Sequence, residues 1–181
     1  MVRPRALSTL PALAGGEKLV RAIIETPKGC PNKYTYNPEY GCFELSKTLP
    51  QGMTFPFDFG FIPSTKGEDG DPLDILVFTD FPALMGCCIK AKLIGCLQAR
   101  QKEKGKKAVR NDRFIAVAED SRTWADVSAL SDLRTGLVKE IEEFFVQYNK
   151  LAGKEFKPLG NCDARHAFKL LKTGMRMARR K

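Results

Sequence analysis

Apolar and polar positions alternate along the first two thirds of the chain and then switch to a helical period. Lys18 to Glu25 is β-branched and alternating, which predicts a first strand that Pro27 and Gly29 end, with Glu25 at its edge. Lys33 to Asn37 and Cys42 to Leu45 flank the turn Asn37-Pro38-Glu39-Tyr40-Gly41 and predict a hairpin with Lys33, Thr35 and Asn37 on one polar face. Thr54 to Pro63 is dense in Phe and carries Pro56 and Pro63, so irregular structure is expected there rather than a helix or central strand. Further strands are expected over Ile75 to Thr79, Cys88 to Arg100 with a bulge or bend at Gly95, and Arg113 to Ala118. From Ser131 the apolar positions Leu133, Leu137, Ile141, Phe144, Phe145, Tyr148 and Leu151 form one helical stripe, capped by Ser131 and Gly153. A second helix is expected from about Asn161 into the basic end of the chain. Many short strands followed by two helices indicate an α+β fold built on a barrel or strongly bent sheet.

With 181 residues the chain fits one domain. The expected division is a flexible arm over residues 1–17, a folded domain over 18–172 and a basic tail over 173–181. Thirty Lys and Arg against 21 Asp and Glu give a net charge of +9, which points to a polyanionic partner such as a phosphate compound or nucleic acid. The six cysteines show no zinc-like spacing, and a domain of this size does not need disulfides, so a reducing cytoplasm is the expected setting. No window approaches the roughly 18 apolar residues of a membrane span.

The chemistry concentrates in Glu68-Asp69-Gly70-Asp71-Pro72-Leu73-Asp74. Residues two apart in an extended segment share a face, and a turn at Gly70 and Pro72 brings Asp74 to Asp69 and Asp71. Three carboxylates gathered this way suit a hard divalent cation such as Mg²⁺ that also collects phosphate oxygens. Pro72 and Leu73 stand where a calcium-binding loop needs further ligands. The Lys102 to Arg113 run is expected to be a solvated loop followed by the start of a strand, and Lys104-Gly105-Lys106-Lys107 lacks the spacing of a phosphate-binding P-loop. His166 is far in sequence from the carboxylates and is expected to have a surface or packing role.

These residues resemble the soluble, metal-dependent inorganic pyrophosphatases of the first family, whose Asp-x-Asp-Pro-x-Asp signature stands here as Asp69 to Asp74. The likeness extends to Glu25 to Gly29, Asn32 to Tyr34, Phe55 to Pro63, Phe114 to Val117 and Phe144 to Tyr148, and so covers roughly Lys18 to Phe168. It implies a closed five-stranded barrel of the OB type with additional short strands and two C-terminal helices. It also implies Mg²⁺-dependent hydrolysis of pyrophosphate, with Mn²⁺ as an alternative ion, and a homo-oligomer. Carried across, Asp69, Asp71, Asp74 and Asn111 hold metal, Asp71 accepts a proton from the attacking water, and Glu25 orients that water. Lys33, Lys47, Arg113 and Tyr148 hold phosphate oxygens. A barrel that binds phosphate-bearing ligands or single-stranded nucleic acid without turnover is the other reading; the retained Asp residues, Glu25 and Lys33 favour the enzyme, with nucleic acid not the expected partner.

The family pattern differs at several of these positions. Thr35 replaces Glu, Lys47 replaces Arg, Phe55 and Phe59 replace Tyr, and Asn149 replaces Lys. The family's Asp-x-Lys reads Asn111-Asp112-Arg113; the Asp before it is missing, with Gln101 or Glu103 nearby. Strand alternation places Asn111 and Arg113 on the site face and Asp112 on the opposite one. Asn111 offers a metal an oxygen without a charge, so weaker Mg²⁺ binding is expected.

Overall fold

A computed structural model describes residues 6–15 and 19–179. Five strands close into a ring. β1 (Leu19–Thr26) pairs antiparallel with β4 (Asp58–Ile62), which pairs antiparallel with β5 (Leu73–Phe78). β5 runs parallel to β8 (Arg113–Ala118), β8 pairs antiparallel with β6 (Cys88–Lys102), which also carries the two-residue β7 (Val109–Arg110), and β6 returns to β1. The expected closed ring is therefore present within an α+β fold. The hairpin β2 (Asn32–Asn37) and β3 (Cys42–Thr48) forms a separate two-stranded sheet in which Asn37 faces Cys42.

The 15-residue strand β6 is shared by several neighbours, and that requires a bend. Its register shifts between Leu93 and Gly95, where a side chain would stand 2.5 Å from Leu130 and 2.7 Å from the Cys162 carbonyl. The bulge anticipated at Gly95 is thus enforced by close approach.

Period-two alternation divides the apolar side chains between two cores. Ile75 and Val77 of β5, with Phe114 and Ala116 of β8, pack in the cluster containing Ala167 and Leu171 of α2 (Ala164–Arg179). Leu76, Phe78, Ile115 and Val117 belong instead to the cluster with Ile141, Phe145 and Tyr148 of α1 (Leu137–Leu151). Both faces of these strands are covered, which explains their nearly continuous apolar runs.

Several boundaries differ from expectation. The aromatic segment contains β4, a fully buried strand between β1 and β5, because Pro56 and Pro63 flank the strand and interrupt none of its hydrogen bonds. Helix α1 begins at Leu137, not at Ser131: Gly136 precedes it at φ 87°, and Leu130–Asp132 forms a separate 3₁₀ turn. Gly153 does follow the helix in the left-handed region, at φ 70°.

An unanticipated strand, β9 (Glu155–Asp163), pairs with β6 and occupies the start expected for the second helix. It accommodates Pro158 because β6 is its only partner strand among the described residues. Asp163 then caps α2 by accepting the His166 N–H at 2.7 Å. The helix continues through the basic segment expected to be a tail. Within the expected N-terminal arm, Leu7–Thr9 forms a 3₁₀ turn, Ala12 is buried, and the Arg21 N–H donates to the Ala12 carbonyl at 2.8 Å. This part of the arm is docked; residues 1–5 and 16–17 lie outside the described residues, as do 180 and 181 of the expected tail.

Candidate active site

The carboxylate turn is held in place from behind. The Gly67 N–H donates to the Asp71 carbonyl at 2.7 Å, and the Leu73 N–H donates to Thr65 Oγ at 3.0 Å. The Lys66 N–H reaches into α2 and donates to the Gly174 carbonyl at 3.0 Å. A side chain at Gly174 would meet Leu73 at 2.5 Å, so glycine lets α2 seat the turn without moving Leu73. Sequence reading missed this position because its requirement is a contact made roughly 100 residues away in the chain.

Asp69, Asp71 and Asp74 open into a cavity of about 400 Å³. Asn111 just before β8, Arg113 of β8, Lys33 of β2, Lys47 of β3 and Tyr148 of α1 line it as well. Glu25 of β1 is absent from the lining but lies close enough to feel Lys33, Asp74 and Asp71, and Tyr36 N–H donates to its Oε1 at 2.7 Å. Asn111 and Asp112 lie outside any strand, just before β8, and their side chains part. Asn111 faces the cavity, whereas Asp112 is buried elsewhere, accepting from Ala99 N–H at 3.0 Å and pairing with Arg110. His166 is exposed and lies outside the cavity.

Cations and aromatic rings form the facing wall. Lys33 and Lys47 are cross-strand partners and both look into the cavity, an arrangement of like charges that favours an anion between them. Lys33 Nζ lies 5.6 Å from the Phe59 ring centroid and Lys47 Nζ 5.0 Å from that of Tyr148. Arg113 is 3 % exposed and lies against the neighbouring rings of Phe145 and Phe156, 5.1 and 5.3 Å from their centroids, with Nη1 2.6 Å from Asp74 Oδ2. Its planar group is aimed by two rings and a carboxylate at once. The Tyr148 hydroxyl is buried without a hydrogen-bond partner among the described residues.

The positions that depart from the family pattern have distinct fates. Phe55 and Phe59 are buried, and Phe55 packs against Phe59, Phe144 and Tyr148. Asn149 lines the cavity but its amide donates back to the Phe145 carbonyl at 2.8 Å. Thr35 is exposed on the hairpin, 2.8 Å from Ser46 Oγ, and is not part of the cavity lining. Gln101 and Glu103 both line the cavity, Gln101 accepting from Asn111 Nδ2 at 3.3 Å.

The electrostatics of the acidic side call for cations. Burial pushes the Glu25 carboxyl up to about 7; the Tyr36 N–H and Lys33 oppose this, and Asp74 and Asp71 add to it. Burial and the same neighbours also raise Asp69. Among the described residues no three acidic, His or Cys side chains form a ready-made coordination shell. Asp74 is engaged with Arg113, and Asp69 accepts from the Asp71 N–H at 3.2 Å. The donor set nevertheless fits a hard divalent ion, being all oxygen, with three carboxylates and one amide on the same cavity.

Glu25 allows a metal-free check. Its folded pKa lies above its unfolded value, so the native state binds the extra proton between about pH 4.5 and 7 and loses stability as pH rises through that window. In chelator, wild type is expected to be about 2–4 kcal/mol less stable at pH 8 than at pH 5 relative to Glu25→Gln, which keeps the acceptor for Tyr36 N–H. Urea unfolding at the two pH values measures this; parallel pH dependence in both proteins would refute it.

The family model described as inorganic pyrophosphatase matches residues 22–179. The chain belongs to the inorganic pyrophosphatase family. The inorganic pyrophosphatase of Thermus thermophilus is 37 % identical over 151 residues, 83 % of this chain and 83 % of that one. That of Halalkalibacterium halodurans is 38 % identical over 154 residues, covering 85 % and 91 %. The crystal structure of the Thermus thermophilus pyrophosphatase superposes with a TM-score of 0.87 at 32 % identity, over 96 % of this chain and 99 % of that one. Among the described residues no helix is long and apolar enough to cross a membrane.

Sequence reasoning missed several pyrophosphatase cavity residues: Glu68, Lys106, Lys107 and Lys154. Glu68 accepts the Arg110 N–H at 2.9 Å. Glu103, noted only as a neighbour of the altered strand, pairs with both Lys106 and Lys154, and its carboxyl is held down at about 2 by those hydrogen bonds. Lys106 and Lys107 lie in a basic run whose composition reads as a solvated loop, and Lys154 lies between α1 and β9, where the β6–β9 pairing brings it to Glu103.

Proposed function

We propose that this chain hydrolyses inorganic pyrophosphate to two phosphates with a divalent cation, Mg²⁺ being the expected ion and Mn²⁺ an alternative. One observation carries the reading: a single cavity joins Asp69, Asp71 and Asp74 to Lys33, Lys47 and Arg113, placing cation-demanding carboxylates opposite anion-demanding cations. Asp69, Asp71, Asp74 and Asn111 would hold metal, which supplies charge neutralisation and a lowered pKa for the attacking water. Asp71 accepts the water proton. Glu25 orients the water through its fixed hydrogen bond to β2. Lys33, Lys47, Arg113 and Tyr148 hold phosphate oxygens and neutralise the departing phosphate. The test is phosphate release from pyrophosphate by the purified chain with Mg²⁺, two phosphates being expected per molecule consumed. Retained pyrophosphate binding without release would favour the non-catalytic barrel.

Asn111 should weaken metal binding, since an amide brings no charge. Asn111→Asp is expected to lower the Mg²⁺ concentration for half-maximal activity. Asp112→Asn should leave that concentration unchanged and instead cost stability, because Asp112 is a buried partner of Ala99 N–H and Arg110. An Mg²⁺ titration and thermal melts of the three proteins decide it; a response confined to Asp112→Asn would move the ligand to Asp112.

We further propose a homo-oligomer in the cytoplasm. The loop between β5 and β6 supports self-association, since Phe81 and Leu84 are each 82 % exposed beside Met85. Light scattering of wild type and Phe81→Asp compares their masses; a monomeric wild type would refute it.

A further inference from the structure

The cavity has a third wall that the roles above leave unused. Glu103 follows β6 directly, and Lys106 folds back on it, its N–H donating to the Glu103 carbonyl at 3.0 Å and its Nζ lying 2.6 Å from Oε2. Lys154 precedes β9 and pairs with the other carboxylate oxygen, next to the Lys102–Glu155 pair of the β6–β9 ladder. Both turns are pinned, since the Lys154 N–H donates to the Asn149 carbonyl at 2.9 Å. Lys107 lines the same cavity and makes no ion pair among the described residues.

Half-exposed ion pairs of this kind contribute little to folding. Three lysines against one carboxylate at the cavity mouth do, however, present a net positive charge to an anion. Lys106 is 72 % exposed and Lys154 32 %, so both can leave Glu103 without opening the core. Glu103 therefore behaves as an internal competitor that occupies the two lysines until a phosphoryl group displaces it.

We propose that Lys106, Lys107 and Lys154 form a second anion-binding wall that takes the phosphoryl group farther from Lys33 and Lys47, with Glu103 as the built-in competitor that sets substrate affinity and phosphate release. The inference rests on the hydrolase reading for its substrate and not for the anion site itself. Lys106→Ala/Lys154→Ala is expected to raise KM for pyrophosphate about tenfold, less at high salt, with kcat within about twofold. Lys106→Arg/Lys154→Arg should restore KM. Glu103→Gln should lower KM and tighten product inhibition by inorganic phosphate about threefold. A double alanine variant whose KM stays within about twofold of wild type at low salt overturns the proposal. Calorimetric titration of inorganic phosphate with Mg²⁺ present separates this from failure of the hydrolase reading: if wild type shows no turnover, weaker phosphate binding in the double variant still supports the wall, and unchanged binding overturns it.

Discussion

Asp71→Asn is expected to lower phosphate release by about two to four orders of magnitude, the scale for losing a positioned proton acceptor. Asp71 is exposed at the cavity, and its carboxylate takes no hydrogen bond among the described residues; only its backbone is tied, to Asp69 and Gly67. An amide of the same shape therefore removes basicity and charge and leaves the turn intact. Thermal melts should coincide with wild type while initial rates at saturating Mg²⁺ collapse. A decrease below tenfold would remove Asp71 from the proton transfer.

The second large effect is expected at Arg113. Arg113→Leu removes the cation that lies against the Phe145 and Phe156 rings and leaves an apolar stem in its place. Asp74 is 22 % exposed and opens to the cavity, which limits the cost of leaving it without a partner. Losing a fixed cation aimed at the departing phosphate should lower kcat by about 10² to 10³. Arg113→Lys is expected to recover part of this loss, because it keeps the charge and forfeits the planar stacking. A kcat for Arg113→Leu within about fivefold of wild type would assign Arg113 to the structure of β8 alone.

The parts of the site legible in the sequence are those whose geometry is local. Asp69, Asp71 and Asp74 share one turn, and the adjacent residues Asn111 and Asp112 send their side chains to different sides just before β8. Four of the five ring strands follow from the apolar runs, and the bend in β6 from Gly95; β4 is hidden by the flanking Pro56 and Pro63. What alternation could not supply is long-range pairing. β9 carries Pro158 and one buried apolar residue, Phe156, so its pattern resembles a loop; it is a strand because β6 leaves an edge for it. Its absence from the sequence reading also hides the Phe156 ring beside Arg113 and the approach of Lys154 to Glu103. The late start of α1 has a local cause, Gly136 at φ 87°, that the continuous stripe from Leu133 conceals.

The most direct measurement is phosphate release from pyrophosphate by the purified chain across chelation and restoration of Mg²⁺. Carboxylates this close to one another, with Glu25 held up to about 7, cannot receive a highly charged anion without cations between them. Release should vanish on exhaustive chelation and return as Mg²⁺ is added back. Release that survives chelation, or its absence at every Mg²⁺ concentration in a folded protein, would contradict the account.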